Sequence, residues 1–342
     1  MKRATTEWYN CPNCSGKGAA LSAISESDES GRSSSSLSCS RCRTAFPILD
    51  GVPRFVPPAN YAGSFGYQWN LHRRAQLDSH TGLMISSARL FNVTGWSKDL
   101  EGQNVLEAGS GAGRFTEILL KTGATVFSFD YSSAVDANRL NNGSADNLCL
   151  FQADILRIPL RPRAFDKVLC LGVLQHTPDP GRAFTSLARC VKPGGELVVD
   201  VYARRLTALV SWKYLLRPIT KRMDPRRLHA IVENMVDLSL PLAGWLRRHA
   251  GAIGARLLPI VEYSHLGLSP DLNREWAILD TFDMYSPAHD HPQSGATIRQ
   301  WFRDAGMEQI TVFDGPNGVI GKGRLPPAGQ RSSAQQCAAS SA

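Results

Sequence analysis

The stretch Asn104-Val-Leu-Glu-Ala-Gly-Ser-Gly-Ala-Gly113 decides the fold. A short apolar run, Val105 and Leu106, reaches an acid, Glu107, and then Gly109, Gly111 and Gly113 alternate with small residues. The next residues, Arg114 to Gly123, place Phe115, Ile118 and Leu119 on one helical face, with Gly123 as the C-terminal stop. The order is strand, glycine corner, helix. Without a Cβ the backbone can turn sharply and lie close against a ligand.

A crossover of this kind binds nucleosides. The dinucleotide fingerprint asks for a third glycine where Arg114 stands, and no Gly-Lys-Ser/Thr phosphate loop is present. Four further elements follow in register. Thr125–Asp130 reads as a buried strand ending in an acid placed to accept hydrogen bonds from ribose hydroxyls. Leu148 to Gln152 leads into Asp154-Ile155, and Phe165 to Gly172 continues as Val173-Leu-Gln-His-Thr-Pro-Asp-Pro180. Val191 to Tyr202 is a turn into a fifth strand. Before it, Asp179 N-caps a helix that has Pro180 at its first position and Phe184, Leu187 and Ala188 on one face.

Together these elements resemble the class I S-adenosylmethionine (SAM) methyltransferases. The resemblance implies an α/β fold with a Rossmann-like seven-stranded sheet. It also implies a SAM site built from Glu107, Gly109, Ser110, Gly111, Gly113, Asp130, Tyr131, Asp154, Ile155 and Leu171. Glu107 would lie near the amino-acid end of the cofactor, Asp154 would face the adenine amino group, and Ile155 would pack on the ring. The arm before the glycine corner often folds over the cofactor in this family, which makes Gln68 and Trp69 lid candidates. The alternative is that the aromatics of Phe65-Gly-Tyr-Gln-Trp-Asn70 pack this arm onto the sheet.

Cys11-Pro-Asn-Cys14 and Cys39-Ser-Arg-Cys42 are two CxxC knuckles that can present four thiolates tetrahedrally to zinc. A closed four-thiolate site has no open coordination position, so the expected role is structural. The stretch Phe46–Phe55 resembles the zinc-ribbon proteins that activate methyltransferases. Ser22 to Ser38, rich in Ser, Asp and Glu, reads as a mobile loop.

The chain has 342 residues, 43% hydrophobic and 20% charged, enough for a full α/β domain with additions. The expected organisation is a zinc ribbon (1–58), a SAM-binding core (65–202), a helical cap insertion (203–280), the rest of the core (281–323) and a disordered Pro, Ser and Ala tail (324–342). No apolar stretch approaches the roughly 18 residues of a membrane span, and the N-terminus lacks the apolar centre of a signal peptide. Metal and core usage of the eight cysteines suits a reducing cytosol, so a cytoplasmic protein is expected.

The net charge of +8 is local. Residues 202–230 hold eight basic residues against the single acid Asp224. This segment reads as a solvated face of the cap, or as a site for an anionic ligand or membrane surface, or for RNA. Residues 1–60 carry seven basic and five acidic residues, a poor electrostatic footprint for nucleic acid.

Methyl transfer from a sulfonium is an in-line displacement in which the protein aligns the reactants and excludes water. A general base is needed only for a hydroxyl or an acidic carbon. His176 follows the fourth strand on the cofactor side and is the candidate, the alternative being a histidine that hydrogen-bonds its own turn. Asp280 to Gln293 is expected to bring Tyr285, His289, Asp290 and His291 to the pocket mouth, on the substrate side. Thr297 to Gln300 reads as a capping box opening a helix that Gly306 stops. The Asn/Asp-Pro-Pro-Tyr/Phe motif for exocyclic base amines is absent. The reading is a SAM-dependent methyltransferase with structural zinc and a small-molecule, glycan or lipid-linked acceptor. An rRNA or tRNA methyltransferase and a non-catalytic SAM-binding module are the alternatives.

Overall fold

The computed structural model describes residues 6–14, 19–27, 33–204 and 211–329. Its N-terminal part is a four-stranded antiparallel sheet, β1 (Leu21–Ser27), β2 (Ser33–Cys39), β3 (Ala45–Leu49) and β4 (Val52–Pro53). Of the loop expected at Ser22 to Ser38, residues 22–27 and 33–38 are instead paired antiparallel, with Leu21 opposite Cys39 and Ala23 opposite Leu37, and 28–32 lie outside the described residues. Serines do not prevent a backbone ladder, and burial of Leu21, Leu37 and Cys39 anchors it. The sheet docks on the main body through aromatics: Phe55 meets Phe46, Tyr9 and Phe151 at ring distances of 5.1, 5.3 and 6.2 Å. Arg54 bonds Asp136 at 2.5 Å and Gln152 at 3.3 Å.

The arm holds α1 (Gly63–Leu71), α2 (Asp78–Thr81) and α3 (Ile85–Thr94). The core follows as β5 (Asn104–Ala108), α4 (Arg114–Leu120), β6 (Thr125–Asp130), α5 (Ala134–Asn142), β7 (Leu148–Gln152), β8 (Phe165–Leu171), α6 (Pro180–Cys190) and β9 (Val191–Val201). The cap is helical: α7 (Trp212–Thr220), α8 (Pro225–Ala255, broken at Gly251) and α9 (Pro270–Tyr285). Helix α9 runs through the boundary expected at position 280. The chain then returns through α10 (Gly295–Asp304), β10 (Glu308–Asp314) and β11 (Val319–Arg324).

The seven strands lie in the order β10-β11-β9-β8-β5-β6-β7. Strands β5 to β9 are parallel and β11 runs antiparallel to both neighbours, the arrangement expected from the sequence. Because β5 pairs with β6 on one side and β8 on the other, the direction of winding reverses there. Ligands bind beyond the carboxyl ends of strands at such a point.

Asp179 caps α6 as expected, accepting from the Arg182 amide at 3.0 Å. Helix α10 starts earlier than Thr297: Ser294 is its N-cap and accepts from the Thr297 amide at 3.1 Å. Of the tail, residues 330–342 lie outside the described residues, as do 205–210 of the basic segment.

Candidate cofactor and acceptor site

The corner after β5 takes its shape from three glycines, with φ of 76° at Gly109, 53° at Gly111 and 88° at Gly113. Each sits in the left-handed region that side chains disfavour. A Cβ on Gly109 would lie 2.3 Å from Val173 Cγ2, and one on Gly113 2.2 Å from Asn138 Oδ1. A Cβ on Gly111 would sit 3.1 Å from the Trp69 ring. Gly109 and Gly111 line a cavity of about 430 Å³, whereas Gly113 serves the packing of α4 against α5.

Asp130, at the end of β6, also lines this cavity. Its Oδ2 accepts from the Gly111 amide at 2.9 Å, and its Oδ1 from the Ser132 amide and hydroxyl at 2.8 and 2.7 Å. Burial pushes its carboxyl above the usual range, opposed by these hydrogen bonds. Ser110, Tyr131, Ile155 and Leu171 complete this wall. The rings of Tyr61 and Tyr131 lie 4.7 Å apart at its edge.

Besides Gly113, two further residues expected at the cofactor, Glu107 and Asp154, do not line this cavity. Glu107 is buried beneath the corner and does not line the cavity; its Oε2 accepts from Thr116 and Ser128. Asp154 caps the short turn Ile155–Arg157 through the Leu156 amide at 2.8 Å and faces a neighbouring groove with Tyr131 and Arg157.

His176 lies in the cavity wall, in the one-turn helix Leu174–His176 after β8. Its Nδ1 is 3.1 Å from the carbonyl oxygen of His289, not bonded to its own turn. A carbonyl only accepts, so Nδ1 carries the proton and Nε2 keeps its lone pair. Burial lowers the imidazole pKa; Asp283 opposes this shift and Lys213 reinforces it. The rings of Phe65 and Tyr202 hold it at 5.0 and 5.3 Å.

The substrate-side candidates do not gather at the mouth. Tyr285 is buried in the cap, donating to the Pro259 carbonyl at 2.8 Å. His289 packs edge-on against Tyr61 at 5.0 Å, His291 is exposed, and Asp290 pairs with Lys213 at 2.9 Å. The polar wall comes instead from residues that the sequence reading left out. Asp280 accepts from Tyr263 and from Gln76, the latter at 3.3 Å. Asp283 accepts from Tyr202 at 3.2 Å and Gln68 at 3.3 Å. Burial pushes the Asp280 carboxyl up to about 6. Arg89, also in the wall, pairs with Asp200 at 2.8 Å.

The family model described as a methyltransferase domain matches residues 106–199. The ubiquinone biosynthesis O-methyltransferase of Sodalis glossinidius is 30% identical over 200 residues, which is 55% of this chain and 78% of that relative. The chain belongs to the SAM-dependent methyltransferases. A Pseudomonas putida protein of the same name is 30% identical to this methyltransferase over 187 residues, 51% of the chain and 77% of the relative. Among solved structures, an O-methyltransferase family protein from Burkholderia thailandensis covers 78% of the chain and 64% of its own, at 14% identity and a TM-score of 0.44. A SAM-dependent methyltransferase from Aquifex aeolicus covers 76% and 96%, at 14% identity and a TM-score of 0.39.

The Sγ atoms of Cys11, Cys14, Cys39 and Cys42 all lie within 4.8 Å of one another, and this cluster could hold a metal ion. Four thiolates in a closed set suit zinc. No helix among the described residues is long and apolar enough to cross a membrane.

Proposed function

We propose that this methyltransferase transfers a methyl group to a hydroxyl of a small-molecule acceptor, with His176 as general base. The observation that carries the reading is an imidazole in the cavity wall whose Nδ1 is committed to a main-chain carbonyl, with no hydrogen bond to Nε2 among the described residues. The names of the relatives, O-methyltransferases of ubiquinone biosynthesis, support a hydroxyl acceptor.

The cavity suits SAM. Gly111 lets the Trp69 ring approach to 3.1 Å of where a Cβ would stand, and the Asp130 carboxylate lines the cavity beside it. We assign SAM binding to Gly109, Ser110, Gly111, Asp130, Tyr131, Ile155 and Leu171, with Asp130 on the ribose and Trp69 as part of a lid. When bound, SAM supplies a methyl group on a sulfonium that leaves as a neutral thioether. His176 Nε2 takes the hydroxyl proton as the acceptor oxygen forms its bond to carbon. Phe65 and Tyr202 fix the ring, and the cap keeps water out. Residues 1–58 are read as a zinc-stabilised ribbon, with the cap helices closing over the core.

The test has two parts. Calorimetry with SAM and its demethylated product measures cofactor binding. Labelled SAM with fractionated extract then shows whether label enters a small-molecule hydroxyl in an alkali-stable ether bond. Label entering RNA or an amine instead would overturn the acceptor assignment.

A further inference from the structure

We propose that the outer face of α7 and the adjoining start of α8 dock on an anionic lipid bilayer. Helix α7 is built inside out for a surface helix. Its cations point inward: the Lys213 side chain is 14% exposed and bonded to Asp290, and Arg217 is 6% exposed and donates to the Pro287 carbonyl at 2.7 Å. Its apolar residues point outward: Trp212 is 41% exposed, Leu215 62% and Ile219 69%. Spacings of three and four residues put all three on one stripe. Water is a poor solvent for such a stripe, and a cluster of exposed apolar side chains marks an interaction surface.

The stripe continues. The Trp212 indole donates to the Leu257 carbonyl at 3.0 Å, which sets exposed Leu257 beside it. Helix α8 carries an exposed apolar row of its own, Ile231, Leu238, Leu242 and Trp245, along one face.

Charge selects the occupant. Lys221, Arg222, Arg226 and Arg227 stand exposed at the corner between α7 and α8, and none makes an ion pair among the described residues. The acid within this corner, Asp224, is used as the α8 N-cap. The acids farther along α8, Glu233 and Asp237, are held by Arg274. A second copy seated on this face by a two-fold axis would set these cations against themselves. A bilayer with anionic headgroups meets both features, accepting apolar side chains at the acyl boundary and cations at the headgroups. The inner side of α7 bears Lys213, which lies over the Tyr202 ring at 4.5 Å in the cavity wall. One helix would thus separate the lipid surface from the cavity.

The test is co-sedimentation of the full chain with vesicles of phosphatidylcholine alone and of phosphatidylcholine mixed with phosphatidylglycerol. Binding to the mixed vesicles, weakened by salt, is expected. Lys221→Glu with Arg222→Glu should lower the partition coefficient by at least about five-fold per cation, the change that ~1 kcal/mol per basic residue represents. Leu215→Glu with Ile219→Glu changes exposed positions only and should abolish binding while circular dichroism and SAM binding stay unchanged. Absence of binding to mixed vesicles, or equal binding to both vesicle types, overturns the proposal. So does a dimer in sedimentation equilibrium that the Leu215/Ile219 variant dissociates, because the face would then be covered by a second copy.

Discussion

His176 directs Nδ1 at the carbonyl oxygen of His289, 3.1 Å away. The contact joins the turn after the fourth core strand to the segment after α9, and it fixes which nitrogen can act as a base. His289 does not line the cavity, but its main-chain carbonyl orients the imidazole that does.

A base that burial holds below the ordinary histidine pKa is already deprotonated at neutral pH. The methyl-transfer rate should therefore be flat through pH 7 and fall on the acid side, below the ~6.5 of a free imidazole. His176→Gln should lower kcat by about 10²-fold or more and remove the acid limb, with SAM affinity unchanged. Single-turnover rates against pH measure both. A variant that keeps the rate and the limb would assign the proton to another group.

Trp69 closes over Gly111 in the cavity wall. Loss of its aromatic face should weaken SAM binding by ~1 kcal/mol, about five-fold in Kd. Gly111→Ala should act in the same direction by crowding the ring. Calorimetric titration of both variants measures the effect, and unchanged affinity in both would remove Trp69 from the lid.

Zinc analysis of the purified chain should find one metal per chain, and Cys39→Ser should lose it. Because Phe55 couples the ribbon to Phe151 in β7, the loss should lower the melting temperature of the whole chain. Phe55→Ala should cost ~3 kcal/mol while leaving zinc content intact. Retention of zinc in Cys39→Ser would exclude the four-cysteine site.

The core was legible because its signals are local. Glycine spacing, strand-end acids and helix caps are all set within a few residues. The acceptor wall is not local. Gln68 meets Asp283 and Gln76 meets Asp280 only after the cap folds back on the arm, and no short-range pattern encodes that pairing. The misplacement of Tyr285 has a different cause. Ile278, Phe282 and Tyr285 follow a helical period and pack together in the cap, whereas Asp280 and Asp283 occupy the opposite, cavity-facing side. Dividing the chain at position 280 cut that period in half.

Glu107 stores a pH dependence of stability. Burial raises its carboxyl from 4.5 to about 7, against the hydrogen bonds from Thr116 and Ser128. Its pKa is thus higher folded than unfolded, so between those two values the folded state binds more proton and stability falls as pH rises. The contribution is complete below about pH 4.5, is lost by about pH 7, and amounts to at most ~3 kcal/mol. Glu107→Gln cannot ionise, so its urea midpoint should decline less than that of the wild type between these limits. Above pH 7 the variant should gain relative to the wild type, because the buried charge is gone. Parallel curves for the two proteins across this range would mean that the carboxylate is already ionised in the fold and stabilised by its two hydroxyl donors.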